Sequence, residues 1–123
     1  MERFTGGCHC GAVRFQVRLR DRTAIRCNCS ICSMTGHLHL IVSSDAFELI
    51  RGSDALTTYA FNTQVARHRF CRNCGIKAFY TPRSHPEGIS VNLRCLDGAS
   101  IDDFFIREFD GARWEANIDS IRG

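Results

Sequence analysis

The chain carries eight cysteines in 123 residues, and most of them come in tight groups. The groups are Cys8-His9-Cys10, Cys27-Asn28-Cys29-Ser30-Ile31-Cys32 and Cys71-Arg72-Asn73-Cys74, with Cys95 standing alone. Two chemistries could account for them, disulfide bridging or metal ligation, and the spacing separates the two. A disulfide needs Cα atoms about 5.5 Å apart and a defined torsion, so the partners of a C-x-C would close a small, strained ring. Thiolates this close together are what a tetrahedral Zn²⁺ collects, at about 2.3 Å per Zn–S bond. The first residues, Met1 to Gly11, show neither an apolar core nor a cleavage pattern of a secretory leader. Secretion is therefore not expected, and a cytoplasmic, reducing setting would keep the thiols free for metal.

Cys71-Arg72-Asn73-Cys74-Gly75 has the form of a zinc knuckle, in which a tight turn brings two thiolates onto one ion. The glycine behind it accepts the positive φ that such a turn often needs. Cys8-His9-Cys10-Gly11 offers the same device in C-x-C form. Two such pairs complete a closed four-sulfur site, which would pin the N-terminal strand to the middle of the sheet and convert metal affinity into folding energy. The middle group differs. Cys27, Cys29 and Cys32 supply three thiolates from one six-residue loop, and catalytic zinc sites have three protein ligands and a fourth position for water or substrate. A three-thiolate zinc is a weak Lewis acid but binds an incoming thiol well and holds it deprotonated. Chemistry on a thiol is its natural use.

Spacing leaves other arrangements open. Cys95, His37, His39 or His68 could close the middle site as a fourth ligand and make it purely structural. Cys8, Cys10, Cys27 and Cys29 could equally share one ion, with Cys32, Cys71, Cys74 and Cys95 on another. Cys95 follows Val91 and Leu93 in an alternating pattern and reads as a small core hydrophobe. His9 reads as solvent-facing, His85 beside Pro86 as exposed, and Trp114 as packing.

The elements that must position these residues are strands. Val13, Phe15, Val17 and Leu19 alternate with Arg14, Gln16 and Arg18, so Gly11–Leu19 predicts a half-buried strand. His37–Ser43, Ala46–Arg51, Leu56–Phe61, Ala66–Phe70, Ile89–Leu96 and Phe104–Phe109 are further strand candidates. Gly52-Ser53-Asp54, Asn62-Thr63-Gln64, Asp97-Gly98 and Asp110-Gly111 read as turns, and Thr81–Gly88, which holds both prolines, as a loop. No long apolar 3.6-residue period is present, so any helix should be short. The expectation is a mainly β, single domain over residues 1–123, built of short antiparallel sheets with cysteine clusters at its turns.

Composition narrows the function classes. Apolar residues make up 44% and charged residues 24% of the chain, an ordinary globular mixture. No run approaches the roughly 18 apolar residues of a membrane span. The net charge of +3 is small and its arginines are interspersed with acids, so neither nucleic acid nor a membrane surface is an expected partner. Seven thiolates on two Zn²⁺ would bring that charge to zero.

The ordered motifs resemble those of the glutathione-dependent formaldehyde-activating enzymes, or S-(hydroxymethyl)glutathione synthases. The matching stretches are Gly7–Phe15, Cys27–Cys32, Arg69–Gly75 and, more weakly, Leu93–Gly98. The resemblance implies a zinc-containing β fold of the type shared by methionine sulfoxide reductase B and the translationally controlled tumour proteins. It implies Cys8, Cys10, Cys71 and Cys74 as ligands of a structural zinc, and Cys27, Cys29 and Cys32 as ligands of a catalytic zinc. It carries nothing over to Cys95. The implied activity is a carbon–sulfur lyase reaction joining formaldehyde to the glutathione thiol as S-hydroxymethylglutathione. Glutathione has two carboxylates, so arginines should line the pocket, Arg26 being the nearest in sequence to the three-cysteine loop. Two other classes compete. One is a non-catalytic zinc module that binds a thiol or a protein partner, the other a redox enzyme with Cys95 as nucleophile.

Overall fold

The computed structural model describes residues 1–61 and 64–122. In chain order its strands and helices are β1 (Glu2–Gly7), β2 (Arg14–Leu19), β3 (Thr23–Cys27), α1 (Ser30–Thr35), β4 (Leu38–Ser43), β5 (Phe47–Arg51), β6 (Leu56–Tyr59), β7 (His68–Cys71), β8 (Phe79–Tyr80), β9 (Gly88–Asn92), β10 (Phe105–Phe109), α2 (Trp114–Asn117) and α3 (Asp119–Arg122). They form three sheets, with strand orders β1-β2-β5, β10-β3-β4-β9-β8 and β6-β7. All pairings are antiparallel except β10 with β3, which run parallel and set Phe109 beside Cys27. The fold is mainly β, and no described helix is long and apolar enough to cross a membrane.

The alternation through β2 does what its pattern implies: Phe15, Val17 and Leu19 in the strand, and Val13 just before it, are all buried, at 0–4% exposure. Phe15 packs against Phe47 and Phe79, with ring centroids 5.4 and 6.3 Å away, and so couples the first sheet to the second. Leu38, Leu40, Val91 and Leu93 complete the same core.

Several expectations are corrected. β2 starts at Arg14 rather than Gly11, because residues 8–13 fold back on themselves, the Cys8 N–H donating to the Val13 carbonyl at 3.1 Å. The strand expected over Ile89–Leu96 stops at Asn92, whose side-chain oxygen accepts the Arg94 N–H at 3.1 Å and starts a 3₁₀ turn, Leu93–Cys95. Cys95 therefore lies on a turn. Strands β1, β3 and β8 were not expected, and neither was the helix inside the middle cysteine group. Of the expected turn at 62–64, Asn62 and Thr63 lie outside the described residues, while Gln64 has φ +59°.

Candidate metal centres

Cys8 and Cys10 sit in the turn after β1, Cys71 ends β7, and Cys74 lies three residues on. The fold brings these four sulfurs together, all within 4.8 Å of one another. Cys10 Sγ lies 3.6 Å from both Cys8 Sγ and Cys71 Sγ, close to the edge of about 3.8 Å in a tetrahedron of 2.3 Å bonds. Gly11 at φ +82° and Gly75 at φ +78° are the residues that turn the chain behind each pair. Backbone N–H groups address the sulfurs: Val13 N–H donates to Cys8 Sγ at 3.3 Å. Burial pushes the Cys74 thiol up, but hydrogen bonds from the N–H groups of Cys10 and Ile76 and from the Cys71 and Cys8 side chains together hold the group near 6. Four such donors suit a divalent metal ion, and the cluster ties the first sheet to the two-stranded one.

The second group is Cys27, Cys29 and Cys32, again within 4.8 Å of one another. Cys27 ends β3, Cys29 is the N-cap of α1, and Cys32 lies in its first turn, so one strand-to-helix junction presents all three. The later chain shapes this junction. Asn28 Nδ2 donates to Asp110 Oδ1 at 3.0 Å, and Ala112 N–H donates to Asn28 Oδ1 at 2.9 Å. This fastens Gly111 against the cluster so closely that a Cβ there would overlap the Cys27 sulfur. The three thiols cannot all ionise unaided. Hydrogen bonds from Cys27 and Cys32 pull Cys29 down to about 2, while the same contacts and burial drive Cys32 far up. A divalent cation would remove that conflict, so the donor set fits a metal.

The three sulfurs lie on the wall of a cavity of about 770 Å³, a size that takes a small organic ligand. Tyr80, Trp114, Arg83 and Arg113 line the same cavity. Arg83 lies 3.6 Å above the Trp114 ring and 2.5 Å from Glu115 Oε1. Arg26 does not reach the cavity. Ile25 and Cys27 face it, and strand alternation turns Arg26 to the opposite side, where it pairs with Glu108 at 3.6 Å.

Of the histidines weighed as a fourth ligand, only His39 touches a cluster sulfur, its Nε2 lying 3.2 Å from Cys32 Sγ. His39 does not join the group of ligand atoms that lie within 4.8 Å of one another. His39 Nδ1 is 2.8 Å from Ser90 Oγ, which is 3.2 Å from His37 Nε2. His37 Nδ1 is buried and has no hydrogen-bond partner. An orphaned N–H costs more than a bare lone pair, which sets the direction of donation. His37 Nε2–H donates to Ser90, Ser90 O–H to His39 Nδ1, and His39 Nε2–H to the Cys32 sulfur. Burial, then Lys77, lowers His39 to about 3, so it acts as a neutral donor. His68 instead accepts from Lys77 Nζ at 2.7 Å. Cys95 stands apart from both groups and burial raises it to about 11, the reverse of an activated nucleophile. His9 is exposed; His85 is half-buried, Nδ1 2.8 Å from Ser84 Oγ.

Residues 3–106 match the sequence model of a family described as glutathione-dependent formaldehyde-activating enzyme. A protein of Halomonas elongata, provisionally named for that same activity, is 31% identical over 101 residues. The match takes in 75% of this chain and 64% of that relative's length. A crystal structure of a Rhodobacter sphaeroides protein superposes with a TM-score of 0.77 at 37% identity, covering 85% of this chain and 99% of the other.

Proposed function

From the premise that the chain belongs to the glutathione-dependent formaldehyde-activating enzyme family, we propose that it joins formaldehyde, or a related small aldehyde, to the thiol of glutathione. The thiol proton passes to the carbonyl oxygen and the sulfur bonds to the carbonyl carbon, giving an S-hydroxymethyl adduct; the reverse is a carbon–sulfur lyase reaction. Cys27, Cys29 and Cys32 are the proposed ligands of a catalytic zinc, and Cys8, Cys10, Cys71 and Cys74 those of a structural one. A zinc ion on three thiolates supplies an exchangeable fourth position and lowers the pKa of a thiol bound there. The observation that carries this reading is the set of three sulfurs on the wall of a cavity large enough for a tripeptide-sized guest.

The chain's own side chains do the rest. Arg83 and Arg113 are placed to take the guest's carboxylates, with Arg83 exchanging its exposed partner Glu115 for the ligand. Phe61, Phe109 and Trp114 give the cavity apolar walls that exclude water around the sulfur. His39 donates to Cys32 and steadies its charge. Two partners held side by side gain mainly from proximity.

The test is metal content with turnover. Two zinc ions per chain, one readily removed by a chelator together with adduct formation, is the expected result. Thiol binding without turnover would instead make the chain a non-catalytic zinc module.

A further inference from the structure

Among its 16 basic side chains the chain has a single lysine, Lys77, and places it inside. Lys77 is 8% exposed, its Nζ 2.7 Å from His68 Nδ1 and 3.9 Å above the Tyr80 ring. Lys77 and His68 both line a second cavity of about 420 Å³, whose rim is formed by the exposed residues Thr57, Thr58 and Tyr59. His68 and Ile31 also line the sulfur-bearing cavity, so the amine stands behind a shared wall. Elsewhere this sequence uses arginine for positive charge. An arginine is always protonated and cannot act as a nucleophile, whereas a buried amine can lose its proton and add to a carbonyl.

We propose that Lys77 is an aldehyde-binding amine, whose Nζ, held in place by His68 Nδ1, captures a small aldehyde entering through the second cavity. This rests on the aldehyde chemistry proposed above. The ammonium loses one proton to water at the mouth of the second cavity, since burial and the neighbouring amine keep His68 neutral, and the nitrogen lone pair forms a C–N bond to the carbonyl carbon. The carbonyl oxygen takes a proton from Nζ, giving a carbinolamine. A proton returned from water to that oxygen breaks the C–O bond, water leaves, and a cationic imine remains. No oxidant or reductant is consumed. Burial already brings the amine to about 8, against the pull of the negative charge on the three-cysteine cluster, so a usable fraction is neutral near pH 7.

Trapping with formaldehyde and cyanoborohydride at pH 7, read by peptide mass mapping of the zinc-loaded protein, tests this directly. The α-amino group is an internal control. Methyl groups are expected on Lys77 about tenfold faster than on the α-amine. Lys77→Arg should raise KM for the aldehyde about tenfold while thiol affinity, zinc content and melting stay unchanged; Lys77→Met serves if the arginine does not fit. Labelling of Lys77 no faster than the α-amine overturns the proposal, even in a protein that makes the thiol adduct. Fast labelling in a protein that makes no adduct sustains the capture and removes the condensation reading instead.

Discussion

The two sulfur clusters use the same residue but stand in opposite relations to the fold. The group of Cys8, Cys10, Cys71 and Cys74 gathers pairs 61 residues apart across two sheets, with Cys8 and Cys71 buried. The group of Cys27, Cys29 and Cys32 comes from one junction and opens on a cavity. An ion in the first joins parts of the chain that would otherwise separate. An ion in the second joins nothing distant; it is held by a loop whose shape is already set. The number of chain segments meeting at a cluster thus separates a metal that builds the fold from one the fold presents.

The largest expected effect tests the first half of that contrast. Cys74→Ser should abolish the cooperative melting transition, since affinity at a structural site is folding energy; circular dichroism with a zinc count reads it. Cys29→Ser should leave the fold and one bound zinc, shift melting by a few degrees at most, and abolish thiol binding and turnover. Unchanged turnover in that variant would remove the assigned roles altogether. Gly111→Ala sharpens the difference, because its methyl group must push against Cys27. Metal affinity at the three-sulfur site alone should fall about 10- to 100-fold, measured by chelator competition, with no loss at the other. The smallest effect belongs to Arg83→Gln. KM for glutathione should rise about tenfold and that for a thiol without carboxylates should hold, with little change in stability because the Glu115 pair is exposed.

The same contrast governs what the sequence revealed. Short, regular spacings exposed the cysteine groups, and the clean alternation of β2 exposed a core strand, since both are local patterns. β3 escaped notice because only Ala24 in it is fully buried and its parallel partner, β10, lies about 80 residues on. Arg26 seemed the natural carboxylate ligand by proximity along the chain, yet the two-residue period of β3 sends it to the other face. Gly111 read as an ordinary turn, because its need to lack a Cβ arises only when Cys27 arrives beside it. Lys77 did leave a signal, as the one lysine among arginines, although its meaning required the burial and His68 to be seen.

The parallel pairing of Phe109 with Cys27 has a consequence for synthesis. A nascent chain emerging from the ribosome presents all three loop thiols long before the segment that walls them in. Until β10 and Gly111 reach β3, those sulfurs lie on a bare edge, open to any passing metal or oxidant. Closure of this junction is therefore a late event in folding, completed only when the C-terminal segment docks.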